Sequence, residues 1–484
     1  MNNPMIRTGT TRNIILNVDS YKASHYLQYP PNTTQMSSYI EARGGKFKQA
    51  VFFGLQIFIK EYLSQAITHD DIDEAKIIFA AHGVPFNENG WRYIVDKYQG
   101  YLPIEIQAIP EGTVISVQNA MVQVTNTDPN CAWLTSYVET VLLRAVWYPT
   151  TVATVSWNAR QIINTYLTAT ADNSNGIDFK LHDFGARGAS AEEAAAIGGA
   201  AHLVNFMGTD TISAIVATRR YYDADMAGFS IPAAEHSTIT SWGKDNEAAA
   251  YANMLEQFAG EGKLVAVVSD SYDLWNAIDN IWGEELKQKV QNTGGTLVVR
   301  PDSGDPVAIV TETINRLMNK FGYTTNTKGY KVLPEYIRVI QGDGISLDTI
   351  EAILIAMQQR QQSADNIAFG MGGELLQKVN RDTMKFAMKA SAAKVDGQWR
   401  DVFKDPITDQ GKRSKKGRLA VIKDQQGHFK TIKEDQLNGQ ENQLIPIFKD
   451  GWILKTYDFD EIKQRAAKNP MTQEASITNN RKIA

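Results

Sequence analysis

Seven short segments between residues 178 and 384 place Gly, Asp, Arg, His and Ser directly after an apolar run. They are His182-Asp183-Phe184-Gly185-Ala186-Arg187-Gly188, Gly208-Thr209-Asp210, Ala234-Glu235-His236-Ser237 and Ser269-Asp270-Ser271-Tyr272-Asp273, then Arg300-Pro301-Asp302-Ser303-Gly304, Gln341-Gly342-Asp343-Gly344 and Gly370-Met371-Gly372-Gly373. Glycine-rich turns before helices offer backbone N–H groups to phosphate, and arginine grips phosphate through paired hydrogen bonds. Asp302 and Asp343, each near glycine, suit ribose hydroxyls or a hydrated Mg²⁺, which takes one or two carboxylates plus substrate phosphates. The chain's seven histidines show no metal-ligand spacing. A phosphosugar with Mg²⁺ fits these residue types.

Singly, each cluster has a plainer reading. Pro301-Asp302-Ser303-Gly304 is also an ordinary turn, Asp343 could cap the next helix, and Asp210 could cap the helix from Thr211. Phe184 and Tyr21 would pass as core aromatics. Recurrence at successive strand ends favours a common site.

What positions them is a repeat of strand and helix. Each cluster precedes a helical stretch, the pattern of a parallel sheet, and α/β proteins build sites at the carboxyl ends of parallel strands. Residues 151–384 therefore read as an α/β barrel, whole or incomplete. Residues 1–150 and 385–484 read as a second, composite α+β domain around an antiparallel sheet, because Leu102–Ile115 alternates in period two about a Pro-Glu-Gly turn. The run Lys412-Arg413-Ser414-Lys415-Lys416-Gly417-Arg418 is either a solvated loop or an anion-binding arm. The tail from Gln464 is expected to fray.

Composition narrows the class. Of 484 residues, 43% are hydrophobic and 21% charged, a globular balance. A net charge of −5 argues against a nucleic-acid coat, and no apolar run is long enough for a membrane span. One cysteine, Cys131, and an N-terminus without a secretory pattern lead to an expectation of a cytoplasmic protein.

Taken in order along nearly the whole chain, Asp19-Ser20-Tyr21-Lys22, Gln28-Tyr29-Pro30-Pro31-Asn32-Thr33, Gly208-Thr209-Asp210-Thr211, Pro232-Ala233-Ala234-Glu235-His236-Ser237, Arg300-Pro301-Asp302-Ser303-Gly304 and the run at 412–418 carry a resemblance. The sequence resembles the nicotinamide phosphoribosyltransferases, within the type II phosphoribosyltransferase family. The resemblance implies transfer of a 5-phosphoribosyl group from phosphoribosyl pyrophosphate to nicotinamide, with Mg²⁺ as cofactor and ATP as co-substrate. It also implies a homodimer with shared sites, in which the base lies between Phe184 and Tyr21 of the second subunit. Asp210 matches the carboxylate that receives the amide, Arg187 and Arg300 line the pocket, and Asp302, Gly342 and Asp343 match ribose-binding positions. Gly372 and Gly373 match the 5′-phosphate loop, while Arg43, Arg381, Lys389, Lys404 and Lys412 match cations directed at phosphates. His236 matches a histidine phosphorylated by ATP. Glu235 and Asp273 are the candidates for orienting its ring, with Asp273 preferred.

Three departures stand out: Met371 and Glu374 in the phosphate loop, Ala186 beside Arg187, and a shorter loop after Arg43. Two rival readings are a nicotinate-specific enzyme and a catalytically silent ligand-binding or signalling protein. Asp210 argues against the first, because a carboxylate would repel nicotinate. Retention of the phosphate-facing cations and His236 argues against the second.

Overall fold

Alternation of buried and half-buried residues in Ile104–Ala108 fits a strand with one wetter face, and it lies inside a seven-stranded antiparallel sheet. The computed structural model describes residues 13–408 and 413–468, and these form two units. The first takes residues 13–154, 221–223 and 380–468, the second 155–220 and 224–379.

In the first unit, Thr33–Glu41 pairs with Ala387–Val395, so distant parts of the chain share one sheet. Beyond the Pro-Glu-Gly turn, Val114–Ser116 does not fold back on Ile104–Ala108; it pairs with Gln49–Val51. The turn is drawn inward by Glu111, which is 2% exposed and accepts from Gly54 N (3.0 Å), Gln56 N (2.7 Å) and the Tyr222 hydroxyl (2.8 Å). Burial pushes the Glu111 carboxyl pKa up. The terminal helix Phe459–Ala467 runs past Gln464, held by buried Phe459, Ile462 and Ala466.

The second unit is built on parallel strands: β1 Leu181–Asp183, β2 Gly208–Thr209, β3 Leu264–Val268, β4 Thr296–Arg300, β5 Ile337–Gln341 and β6 Ile367–Met371. Their order is β2-β1-β6-β5-β4-β3. Residues 229–234 bond to both outer strands: Thr209 N donates to Phe229 O and Phe229 N to Met207 O, while Ala234 N donates to Ala266 O and Ala266 N to Pro232 O. The sheet thus curls until one irregular segment spans its two edges. Inside, Phe184, Ile231, Ala266, Val298, Ile340 and Ala368 pack into one layer. The fold is α/β, as the strand–helix repeat predicts, with an antiparallel sheet in the other unit.

Helix Pro306–Phe321 buries Val310, Ile314, Leu317, Met318 and Phe321. Such side chains contribute about 1.5–3 kcal/mol each when fully buried. Asp305 caps this helix by accepting from Ala308 N, and Ser346 with Thr349 caps Leu347–Gln359. Neither Asp302 nor Asp343 is used as a cap.

Candidate active site

Side chains alternate along a strand, so residues two and four beyond the interior layer share its direction. From Ala266 this parity leads to Asp270, from Val298 to Arg300 and Asp302, from Ile340 to Gly342, and from Ala368 to Gly370 and Gly372. The strand-end clusters thereby converge on one mouth.

At that mouth His236 opens a short helix, His236–Thr240, with its ring 46% exposed. Its Nε2 is 3.1 Å from Asp270 Oδ1, and its Nδ1 is 4.0 Å from Asp302 Oδ2. Asp270 is 4% exposed, and its Oδ2 accepts from Asp302 N (3.0 Å) and Ser303 Oγ (2.6 Å). Arg300 Nη2 lies 3.3 Å from Asp302 Oδ2, and Arg300 Nε is buried with no partner among the described residues. One buried carboxylate therefore holds the histidine ring and the Asp302 loop together.

This corrects the expectation for Asp273. Its carboxylate accepts from Trp275 N (2.9 Å) and Asn276 N (3.1 Å), capping the next helix. Glu235 is likewise spent locally, on Ser237 and Thr238. Asp270 was within reach of sequence reasoning: it is the first carboxylate after buried β3, whereas Asp273 stands where a helix needs a cap.

On the other side of the mouth, the Phe184 ring packs against strand backbones. A Cβ on Gly370 would lie 2.0 Å from Phe184 Cε2, and one on Gly342 would lie 3.3 Å away, so only glycine allows the ring its place at Gly370. Asp210 is exposed and accepts the Ser230 hydroxyl (2.5 Å), while its backbone N donates to Asp183 O (3.0 Å). Arg187 is exposed on the 3₁₀ turn Ala186–Gly188. That turn faces the Gly372-Gly373 loop, and a Cβ on Gly373 would meet nothing within 4 Å. Glu374, the extra carboxylate, pairs with Lys378 at 2.6 Å, so its charge is balanced one helical turn away.

Within the first unit, Lys389 sits opposite Tyr39 on adjacent strands. Burial pushes its ammonium pKa down; Glu139 opposes this, while Arg43, Lys404 and Lys22 add to it. The structure thus gathers Arg43, Lys389 and Lys404. Arg43 Nε bonds Glu41 (3.0 Å), and its Nη2 is buried with no partner among the described residues. Arg381 is exposed and meets its neighbour Asp382 at 3.1 Å. Tyr21 is 58% exposed, with its ring edge-on to His25.

Most of the basic run is engaged internally. Arg413 pairs with Asp405, Lys415 with Glu41 and Arg418 with Glu434, while Lys416 lies over the Phe403 ring. Lys412 lies outside the described residues.

Among the described residues, no three His, Cys, Asp or Glu side chains form a metal-binding group. Asp302 and Asp343 are nonetheless free of capping duties, and Asp302 Oδ1 lies 3.8 Å from where a Gly342 Cβ would be. A carboxylate at the mouth without a third protein ligand fits Mg²⁺ that receives its other ligands from phosphate and water.

The model of the nicotinate phosphoribosyltransferase family matches residues 179–444, more than half of the chain. The chain belongs to this family. A second model, the nicotinamide phosphoribosyltransferase N-terminal domain, matches residues 13–106. A family relative from Xanthomonas campestris pv. campestris, named nicotinamide phosphoribosyltransferase, is 52% identical over 94% of this chain and 98% of its own. One of the same name from Acinetobacter baylyi is 33% identical over 93% and 96%. Two solved structures share the fold: nicotinate-nucleotide pyrophosphorylase from Pyrococcus furiosus, with TM-score 0.62, 15% identity and coverage of 97% and 98%, and human nicotinic acid phosphoribosyltransferase, with TM-score 0.58, 16% identity and 94% of each chain.

Among the described residues, no helix is long and apolar enough to cross a membrane. The family's nicotinate phosphoribosyltransferase match begins at Phe179, just ahead of β1, and covers every strand of the parallel sheet. The phosphosugar chemistry inferred from the strand ends therefore falls within the matched segment.

Proposed function

We propose that the chain transfers the 5-phosphoribosyl group of phosphoribosyl pyrophosphate to nicotinamide, giving nicotinamide mononucleotide and pyrophosphate in NAD salvage. The observation that carries the choice of base is Asp210, an exposed carboxylate anchored by its backbone to the residue before Phe184. It accepts an amide N–H but repels nicotinate. The relatives' printed name agrees.

Departure of pyrophosphate from the ribose C1 leaves positive charge on the sugar and gathers negative charge on the leaving group. Preplaced cations lower that barrier. Arg300 and Arg187 serve the mouth, and Arg43, Lys389 and Lys404 meet phosphates in a homodimer whose second subunit also lends Tyr21. Asp302 or Asp343, together with the phosphates, would hold Mg²⁺, which would supply charge neutralisation at the leaving group. Nicotinamide is a neutral nucleophile that needs positioning, and aromatic contact with Phe184 supplies it at small entropic cost.

His236 is the phosphoacceptor for ATP in this reading. With Nε2 held by Asp270, Nδ1 attacks the γ-phosphorus; the bond to the β-phosphate oxygen breaks, and ADP leaves. We place the reaction in the cytoplasm, where the single buried Cys131 stays a thiol. Pyrophosphate release measured with nicotinamide and with nicotinate tests the whole: a clear preference for nicotinamide is expected, and equal rates would overturn it.

A further inference from the structure

Asp183 is fully buried at the end of β1, yet its position beside Phe184 has no role in the chemistry above. Its Oδ1 accepts the Gly185 N–H at 2.7 Å, closing the turn that carries the Phe184 ring. Its main-chain oxygen accepts the Asp210 N–H at 3.0 Å, and its register partner on β2 is Thr209. The hydroxyls of Thr209 and Thr211, flanking Asp210, favour the charged carboxylate, while Oδ2 is buried with no hydrogen-bond partner among the described residues. A single residue thus touches both sides of the base pocket.

The packing leaves Asp183 little freedom. Helix Glu192–Leu203 approaches it with Gly199, where a Cβ would lie 3.0 Å from Asp183 Oδ2 and 2.6 Å from the Ala214 methyl. The neighbours are therefore backbone, small side chains, two hydroxyls and one like charge, Asp210. Burial, aided by Asp210 and opposed by the Gly185 N–H and the nearby Thr211 and Thr209 hydroxyls, pushes the carboxyl up to about 6. A buried acid in such a setting fixes geometry by its bonds.

We propose that Asp183 is a positioning residue for base selection, holding the Phe184 turn and the Asp210 carboxylate in one frame so that a carboxamide is taken in preference to a carboxylate. It rests on the reading that Asp210 meets the amide.

The test is a double-mutant cycle read as the ratio of kcat/KM for nicotinamide to that for nicotinate. Asp183→Asn keeps the shape and an acceptor for Gly185. It should lower the ratio about tenfold through the nicotinamide KM, with the KM for phosphoribosyl pyrophosphate within about threefold of the parent. In the Asp183→Asn, Asp210→Asn double variant the ratio should fall no further than in Asp210→Asn alone, because both act through one carboxylate. A folded Asp183→Asn enzyme with the parent's ratio, or losses that multiply in the double variant, would overturn the proposal. If Asp183→Asn does not fold, Thr211→Val removes one of the hydroxyls that favour the charged Asp183 carboxylate: a fall of about threefold supports the frame, and an unchanged ratio overturns it. A parent enzyme indifferent to the base would instead overturn the reading of Asp210, and this proposal with it.

Discussion

Asp270 stands between His236 and Asp302: one carboxylate oxygen lies 3.1 Å from the ring Nε2, and the other receives the Asp302 N–H at 3.0 Å. Asp270→Asn should therefore remove the acid-labile phosphate formed from ATP by at least about a hundredfold and also disturb the Asp302 loop. Asp273→Ala should keep phosphorylation and show at most the loss of a helix cap, about 0.5–2 kcal/mol in thermal unfolding. If Asp273→Ala alone silenced phosphorylation, the assignment of the orienting group would be wrong.

His236→Ala should abolish stimulation by ATP while slow transfer persists, because the cations and the base pocket remain. Phosphate counting on the variant checks this. Stoichiometric labelling without the histidine would exclude it as acceptor.

Base preference should exceed about 100-fold in kcat/KM, since a lost hydrogen bond and a gained repulsion together cost ~3 kcal/mol. Asp210→Asn should narrow it. Steady-state rates with both bases decide.

Tyr21 is exposed on the 3₁₀ helix Ser20–Leu27, as an aromatic lent to a second copy would be. Tyr21→Ala and Phe184→Ala homodimers should each bind nicotinamide poorly, losing about 1–2 kcal/mol of ring contact. Mixed dimers carry one intact pair and should recover up to half of the activity. Demonstrated subunit exchange without recovery would refute the shared site.

His202 gives a pH signature of stability. It is fully buried between Ser156 Oγ and Gly208 O, at 3.0 and 3.1 Å, and burial pushes its pKa from 6.5 down to about 3. Between those values the unfolded chain binds a proton that the native chain refuses, so stability falls as pH drops through 6.5 toward 3. Asp183 acts in the opposite sense, since its raised pKa favours the native state at low pH and loses that effect as pH rises through about 6. Denaturant titrations of His202→Gln should therefore show a shallower loss below pH 6.5 than the parent. Identical slopes would contradict it.

Much of the site was legible because its residues follow buried strands directly: Arg300, Asp302, Gly342 and Gly370 inherit their direction from Val298, Ile340 and Ala368. Asp273 misled because a carboxylate near a strand end and a carboxylate before a helix look alike in sequence, and capping claimed this one. The closing segment at 229–234 was hidden since it contains Pro232 and joins each neighbour by isolated bridges instead of a ladder. The pairing of Val114–Ser116 with Gln49–Val51 depends on Glu111 turning inward, which alternation of apolar residues cannot reveal. Local charge pairing likewise used up most of the basic run, through partners as distant as Glu41 and Glu434.

The segment at 229–234 holds the curled sheet shut by four main-chain hydrogen bonds, two to each side, while β3 and β4 share a five-residue register. Local opening follows the fewest bonds. In amide hydrogen exchange the protons of Phe229, Ala234 and Ala266 should be lost well before those of Val265 and Val267. Since Ser230 in this seam bonds Asp210 and the seam runs on to His236, opening there would loosen the Asp210 and His236 sides of the mouth together.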